Sequence, residues 1–310
     1  MIEPSLVDPL WSNPHINQAY ADALRRSCKL TQPNNEAGHK LSALPILLCE
    51  ANGGSRQQVM PIVSAWHLLR HAARILDDIE DGNAETGTMP VDLNVSTGLI
   101  FTAGYLLSQL EASGVAVESA QAIREGFHVG LLQTCAGQHE DLSLSSPSLE
   151  KSWQIAETKS GTSLGLVCWA GGYVACADHQ ELNLYRQFGH KLGLLDQIHD
   201  DLVDLASKED LFAAAKHSLP VGYAVTVLPQ AQKEALLALL DTAVSESEKA
   251  ELAHRLIIGS GAVVYLVTQM SLIRQEAYQL VQTMQLAPDI KAQLQRILDH
   301  IAPQSVPRAG

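Results

Sequence analysis

Residues 193–204 read GLLDQIHDDLVD, and residues 75–81 read ILDDIED. Each contains the pattern Asp-Asp-x-x-Asp, with carboxylates at positions i, i+1 and i+4. On a helix, positions i and i+4 lie on one face one turn apart, and i+1 lies beside them because it is three residues from i+4. Apolar residues precede each pattern. We therefore predict that three carboxylates gather at each point where a buried helix reaches a cavity.

Carboxylates so close together repel one another. Two of them about 4 Å apart cost on the order of 4 kcal/mol at an effective dielectric constant near 20. A divalent cation relieves this repulsion, and oxygen ligands without neighbouring Cys or paired His favour Mg²⁺ over zinc. Mg²⁺ binds one or two carboxylates together with substrate phosphate oxygens, so the two stretches predict a diphosphate site with several metal ions. A solvated acidic helix face is the alternative for either stretch taken alone.

Outside the two motifs, one helical pattern follows another from about residue 17 onward. The helical segments are 36–54, 56–82, 92–112, 116–141, 149–177, 180–206, 210–226, 229–242, 246–258, 260–284 and 287–301. The sequence contains no alternating strand pattern, internal repeat or low-complexity linker. We predict an all-α fold: a single domain over residues 1–310, built as a bundle of about ten helices around a central active-site cavity. Residues 1–16 and 303–310 are expected to be flexible.

The charge balance excludes several classes of partner. The chain has 34 Asp and Glu against 21 Lys and Arg, a formal net charge of −13, which argues against binding to nucleic acid or to an anionic membrane surface. The first residues lack the basic and apolar regions of a signal peptide, and no apolar run is long enough for a transmembrane segment. The five cysteines show no CxxC spacing and are interpreted as reduced core thiols. We predict a cytoplasmic protein.

Several further segments occur in a characteristic order along the chain. They are residues 38–40 (GHK), 53–54 (GG), 137–142 (GQHEDL), 159–161 (KSG), 210–211 (DL) and 216–220 (KHSLP), interleaved with the two aspartate motifs. Together they make the chain similar to the trans-prenyl diphosphate synthases of the polyprenyl synthetase family, which have the class I isoprenoid synthase fold. The resemblance extends from about residue 38 to residue 224.

The resemblance implies a magnesium-dependent prenyltransferase of isoprenoid biosynthesis, usually a homodimer, with three Mg²⁺ ions around the bound diphosphate. Such an enzyme ionises an allylic diphosphate and condenses it with isopentenyl diphosphate to give a longer trans-polyprenyl diphosphate. The implied metal ligands are Asp77, Asp78, Asp81, Asp200, Asp201 and Asp204. Lys159 and Lys216 would contact the allylic diphosphate and, with the paired aspartates of both motifs, carry the catalysis. The other implied substrate-binding residues are Lys40, Arg70, Gln138 and Gln197.

The sequence departs from the family pattern where isopentenyl diphosphate binds. Residues 41–43 (LSA) follow Lys40 in place of arginines, and residues 85–87 read ETG where the family has Arg-Arg-Gly. Arg70 stands at the position of a family histidine, and Asp196 stands at the position of a phenylalanine. The missing guanidiniums would have made bidentate phosphate contacts that lysine cannot fully replace. Three alternatives therefore stay open: transfer to a peptide or small-molecule acceptor, a terpene cyclase-like reaction, and a non-catalytic helical partner subunit.

Overall fold

Helices form all the regular structure in the part of the chain that this computed structural model describes, residues 2–30, 36–80, 82, 84, 87–143, 146–175, 178–207, 217–241 and 247–301. The α-helices are α1 (Pro4–Trp11), α2 (Gln18–Leu30), α3 (Glu36–Ala51), α4 (Arg56–Glu80), α5 (Met89–Ser108), α6 (Val117–Ser143), α7 (Leu149–Ala156), α8 (Thr162–Val174), α9 (His179–Ser207), α10 (Leu219–Val227), α11 (Gln230–Asp241), α12 (Ser247–Gly259), α13 (Ala262–Thr283) and α14 (Pro288–Ile301). A π-helical turn, Glu157–Gly161, joins α7 to α8. The all-α prediction is confirmed, with thirteen helices in the described residues when this joined pair counts once.

Contacts divide the chain into two compact units. Unit 1 consists of Met1–Val129, Gly165–Gly189 and Thr283–Ile297, and unit 2 consists of Gly130–Leu164, His190–Gln282 and Leu298–Gly310. The first aspartate motif therefore belongs to unit 1, whereas the second motif belongs to unit 2 together with Gln138, Lys159 and Gln197. The single-domain organisation stays a prediction.

Glycine ends the helix that carries the first aspartate motif. Gly82 follows the last residue of α4 by two positions and has a φ of 75°, a conformation that side-chain-bearing residues rarely adopt. Its amide donates to the carbonyl oxygen of Ile79 at 3.2 Å, which satisfies one of the last carbonyls of the helix. Asp77 and Asp78 are thereby fixed in the last turn of a helix, as the sequence predicted.

The start of the chain corrects the prediction that residues 1–16 are flexible. Residues 4–11 form α1, in which Val7 and Trp11 are buried. The indole Nε1 of Trp11 donates to Thr102 Oγ1 at 3.1 Å. Burying an aromatic ring of this size with its polar atom satisfied stabilises the fold by about 2–3 kcal/mol, which offsets the fraying expected of a terminus. Residues 303–310 lie outside the described part of the chain.

The cysteine and membrane predictions can be compared with the same helices. Cys49 and Cys168 are buried, but Cys135 is exposed on α6, so the prediction that all cysteines are core thiols is wrong for Cys135. Cys176 lies outside the described residues.

Within the described ranges, no helix taken singly is long and apolar enough to cross a membrane, although α12 and α13, bent by 53°, meet that requirement as a pair.

His71 gives unit 1 a predictable dependence of stability on pH. Its Nε2 lies 2.6 Å from Ser27 Oγ, and burial, with a smaller contribution from the charge of Arg74, lowers the pKa of His71 from 6.5 to about 4. The unfolded chain takes up this proton near pH 6.5, and the folded chain does not. The contribution of His71 to the free energy of unfolding is therefore fully present above pH 6.5 and is lost as the pH drops towards 4. The free energy of unfolding of the wild type should fall between pH 7.5 and pH 5. We expect the fall to be smaller by about 1–2 kcal/mol in His71→Gln.

Urea unfolding at the two pH values measures this difference. The exposed His179 provides the control, because His179→Gln should keep the pH dependence of the wild type. Equal pH dependence in His71→Gln and the wild type would contradict the assignment.

Candidate active site

The first aspartate motif occupies the end of α4 in unit 1. The helix is buried from Val59 through most of its length to Ala72, after which Asp77 is half-buried and Asp78 is exposed. The helix is buried before the motif, as expected, and the predicted cavity at its end stays a prediction. Asp81 lies outside the described residues.

Arg70, one of the predicted substrate-binding residues, lies on the same helix. Its guanidinium carbon is 5.0 Å from the ring centroid of Trp66, one turn earlier, and the Trp66 ring is buried. An exposed cation held over an indole face has a restricted set of orientations. The substrate-binding role of Arg70 stays a prediction. Lys40, predicted to act with it, lies in α3, and its side chain is outside the described part of the structure.

The three carboxylates of the second motif differ in exposure, which the sequence did not predict. Asp200 and Asp204 are exposed and lie one turn apart on α9, whereas Asp201 is only 7% exposed. Successive helical residues are rotated by about 100°, so a residue next to the exposed pair can turn into the core. Asp196, one turn before Asp200, is half-buried and extends the row that Asp200 and Asp204 form.

Asp201 is held by protein donors on both oxygens. Its Oδ2 accepts the amide of Leu219, at the start of α10, at 2.8 Å, and its Oδ1 accepts Gln197 Nε2 at 2.8 Å. Burial raises the pKa of Asp201 to about 6, with smaller contributions from the charges of Asp204 and Asp141, although the two hydrogen bonds oppose the rise. This geometry favours capping of α10 over metal binding, and metal ligation by Asp201 stays a prediction.

Gln197 links the capping carboxylate to the π-helical turn. Its Oε1 accepts a hydrogen bond from Ser160 Oγ at 2.7 Å while its Nε2 donates to Asp201. The two contacts define which end of the amide is oxygen and which is nitrogen. A chain of hydrogen bonds thus runs from Ser160 through Gln197 to Asp201 and on to the first amide of α10. Gln197 therefore lies beside the turn that carries Lys159, and its role in substrate binding stays a prediction.

The π-helical turn itself was not predicted from the sequence. A π turn inserts one residue into an α-helix and changes the direction of nearby side chains, frequently at functional sites. Here it carries both Lys159 and Ser160. Three glycines allow neighbouring backbone to approach it: a Cβ on Gly193 would lie 2.2 Å from the carbonyl oxygen of Ser160, one on Gly161 would lie 2.7 Å from His190 Nε2, and one on Gly137 would lie 2.8 Å from Thr158 Cγ2.

A second set of contacts surrounds Asp141, near the end of α6. Its Oδ1 lies 2.7 Å from His217 Nδ1, and its Oδ2 accepts Lys159 Nζ at 3.4 Å. Burial alone would raise the pKa of Asp141, but the hydrogen bond from His217 and the ammonium of Lys159 outweigh burial and lower it. Asp141 is therefore a carboxylate at neutral pH.

Sequence reasoning did not assign His217 to the site, although it stands in the quoted segment 216–220. Lys216, which precedes it, lies outside the described residues. Gln138 is half-buried, three residues before Asp141 on the same helix. The structure thus brings Lys159, Gln197 and Asp201 together in unit 2 and adds Asp141 and His217.

The donors of the two motifs can be tested for their fit to a metal ion. In the described ranges there is no group of three or more His, Cys, Asp or Glu side chains arranged to hold one. Asp200 and Asp204 offer two exposed carboxylates one turn apart, and Asp77 and Asp78 remain at the end of α4. Mg²⁺ takes one or two protein carboxylates and completes its shell with water and phosphate oxygens, so these donor sets fit Mg²⁺.

Comparisons with known proteins identify the family that this chain resembles. A model of the polyprenyl synthetase family matches residues 35–257. The geranylgeranyl diphosphate synthase of Mycobacterium tuberculosis (strain H37Rv) is 30% identical over 176 residues, which are 53% of this chain and 49% of that protein. The tryptophan prenyltransferase ComQ of Bacillus subtilis subsp. natto is 28% identical over 173 residues, 56% of this chain and 53% of that protein. The chain thus spans about half the length of these curated relatives.

Solved structures match over almost the whole chain. A geranylgeranyl pyrophosphate synthetase from the archaeon Geoglobus acetivorans aligns with a TM-score of 0.79 at 17% identity and covers 96% of both chains. A putative geranylgeranyl pyrophosphate synthase from Corynebacterium glutamicum aligns with a TM-score of 0.81 at 16% identity and covers 96% of this chain and 92% of that one. Likeness at this level of identity shows a shared fold.

Proposed function

Because the chain belongs to the polyprenyl synthetase family, we propose that it is a prenyltransferase that ionises an allylic diphosphate and condenses it with isopentenyl diphosphate. The product is a longer trans-polyprenyl diphosphate. The observation that carries the proposal is the arrangement in unit 2, where a π-helical turn presents Lys159 beside Asp141, while α9 exposes Asp200 and Asp204 one turn apart. Cationic and metal-binding groups in one unit suit a diphosphate.

In the proposed reaction, the C–O bond of the allylic diphosphate breaks and its electron pair leaves with the diphosphate. The ammonium groups of Lys159 and Lys216 lower the barrier by stabilising the negative charge on the leaving group. Mg²⁺ held by the exposed carboxylates of Asp200 and Asp204 would supply further positive charge. The double bond of isopentenyl diphosphate then attacks the allylic carbon, and loss of a proton gives the product. The Ser160–Gln197–Asp201 chain keeps the turn that carries Lys159 in place.

The second substrate is the part of the proposal with a competing candidate. Similarity to a tryptophan prenyltransferase, and the absence of the family arginines from residues 41–43, favour transfer to an acceptor other than isopentenyl diphosphate. Such an acceptor would need no second set of guanidinium groups. Arg70 provides a way to distinguish the two candidates, because its cation can contact the second diphosphate only if that substrate carries one.

The proposal is tested by offering the protein geranyl, farnesyl and geranylgeranyl diphosphates with Mg²⁺, each with and without isopentenyl diphosphate. Diphosphate release that requires isopentenyl diphosphate, together with an elongated product, supports the proposed function. Release without it indicates cyclisation or hydrolysis. If no donor reacts, condensation is contradicted, and the remaining candidates are transfer to another acceptor and a non-catalytic partner subunit.

We expect Arg70→Gln to raise the KM for isopentenyl diphosphate by about tenfold or more while the KM for the allylic substrate changes little, because one charge-assisted contact contributes at least about 1.4 kcal/mol. Steady-state kinetics with each substrate varied in turn measures the two constants. Arg56→Gln, an exposed arginine on the first residue of the same helix, is the matched control. Equal KM values for isopentenyl diphosphate in Arg70→Gln and the wild type would contradict the assignment of Arg70 to this substrate.

We also propose that the protein is a homodimer. Unit 1 supports this proposal with an apolar stripe along α5, where Leu93, Ile100 and Phe101 are exposed, the last by 74%. Bulky apolar groups repeated on one helix face are typical of an interaction surface. Sedimentation velocity at several concentrations tests the assignment, and a monomer at all of them would contradict it.

A further inference from the structure

Residues 217–219, which lead into α10, are fixed by side chains from three other helices of unit 2. Asp141 of α6 accepts His217 Nδ1 at 2.7 Å, and Ser152 of α7 donates to the carbonyl oxygen of Ser218 at 3.2 Å. Asp201 of α9 accepts the amide of Leu219 at 2.8 Å. Three consecutive residues thus have three separate anchors. The described backbone that leads into α10 is therefore fixed from its first residue.

One of the three anchors also holds a predicted diphosphate lysine. The carboxylate of Asp141 uses Oδ1 for His217 and Oδ2 for Lys159, so the same group contacts the lysine on the π turn and the residue next to Lys216. The side chain of His217 is only 13% exposed, and that of Asp141 is 22% exposed. A charge-assisted hydrogen bond that is shielded from water resists screening and keeps its geometry.

The protonation of His217 follows from its partners. A carboxylate can only accept, so the imidazole proton that faces Asp141 is assigned to Nδ1. The other ring nitrogen, Nε2, is buried and has no hydrogen-bond partner within the described residues. Asp141 is accordingly the contact that sets the orientation of this ring. In turn, His217 restricts the carboxylate to one rotation, with Oδ2 left towards Lys159.

We infer that His217 is a positioning residue for diphosphate binding, because it holds Asp141 in the orientation that fixes Lys159. The inference rests on the proposed function, because Lys159 requires this precise placement only if it binds a diphosphate. His217 itself does not touch the reacting atoms. Its effect reaches the substrate through Asp141 and Lys159, so it should appear in the affinity for diphosphate.

Two substitutions separate the hydrogen bond from the bulk of the ring. The amide nitrogen of asparagine occupies the place of histidine Nδ1, so His217→Asn retains a donor to Asp141, whereas His217→Leu retains the volume and loses the donor. The readout is the Kd of inorganic diphosphate in the presence of Mg²⁺, measured by titration calorimetry on the full chain. We expect His217→Leu to raise this Kd by at least about tenfold and His217→Asn to stay within about threefold of the wild type.

A double mutant tests whether His217 acts through Asp141. Asp141→Asn should weaken diphosphate binding by itself, and adding His217→Leu to it should give little further loss, because the two residues act as one unit. Multiplying effects would instead indicate independent roles. His254→Leu, a half-buried histidine on α12 in the same unit, is the control and should bind diphosphate like the wild type.

The outcomes distinguish this inference from the proposed function. Wild-type turnover combined with an unchanged Kd in His217→Leu would overturn the positioning role and leave the prenyltransferase proposal intact. A wild-type protein that neither turns over nor binds diphosphate would overturn both. If His217→Leu fails to fold, the comparison of His217→Asn with Asp141→Asn replaces it, and equal Kd values in Asp141→Asn and the wild type would overturn the inference.

Discussion

Replacing Asp200 with alanine is expected to lower the rate of diphosphate release by about 10²–10³-fold or more, while the free energy of unfolding stays within about 0.5 kcal/mol of the wild type. The carboxylate is exposed on α9, so little packing is lost with it. It is also one of the groups proposed to hold Mg²⁺, whose charge stabilises the leaving diphosphate. Asp77→Ala, at the end of α4 in unit 1, should have the same effect on turnover.

Single-turnover assays of diphosphate release, with urea unfolding in parallel, measure the two quantities on the same preparations. Asp289→Asn is the control, because Asp289 is an exposed aspartate in the first turn of α14, far along the chain from both motifs. It should release diphosphate at the wild-type rate. Unchanged turnover in both Asp77→Ala and Asp200→Ala would falsify the enzyme proposal and favour the non-catalytic partner subunit.

The neighbouring residues Asp200 and Asp201 show how far a motif can be read from the sequence. The pattern Asp-Asp-x-x-Asp locates both residues correctly on a helix, because helical spacing is a local property. It assigns them the same role, whereas the structure exposes Asp200 and buries Asp201 under the start of α10. That difference depends on a helix that begins 18 residues later, so it could not be predicted from the motif alone.

The contact between Asp141 and His217 has the same explanation. The two residues are 76 positions apart in the sequence, and helical periodicity does not link positions so distant. The segments 137–142 and 216–220 are each recognisable, but their pairing follows from how α6 and α10 are placed in unit 2.

The helix α1 was missed for a simpler reason. Its burial depends on the contact between Trp11 and Thr102 of α5, and the sequence of residues 4–11 does not identify this distant partner.

The π-helical turn is the local feature that the sequence came closest to revealing. The residues Lys159, Ser160 and Gly161 were singled out by resemblance, and Gly137 and Gly193 stand in the other quoted segments. What links them is close packing: the glycines lie where a Cβ would meet the turn or its neighbours at under 3 Å. A glycine within a helical sequence predicts only weaker helix formation. The packing that requires glycine is known only when the positions of the neighbouring atoms are known.

The addition of one methyl group in Gly193→Ala is therefore expected to damage unit 2. The new Cβ would lie 2.2 Å from the carbonyl oxygen of Ser160 and 2.6 Å from its carbonyl carbon, both backbone atoms that cannot rotate away. Either α9 or the π turn must move, which costs about 1–3 kcal/mol of unfolding free energy or more. The same movement displaces Lys159 and stretches the hydrogen bond between Ser160 and Gln197, so turnover should fall as well.

Gly259→Ala separates the steric effect from the helix propensity of alanine. Gly259 ends α12 in the same unit, and a Cβ there would meet nothing within 4 Å. It should leave unfolding free energy unchanged or raise it by up to about 1 kcal/mol, because alanine is the better helix former. Urea unfolding of both variants, with diphosphate release on the folded protein, makes the comparison. If Gly193→Ala matches Gly259→Ala in both measurements, then α9 does not pack against the π turn as closely as described, and the positioning of Lys159 needs another explanation.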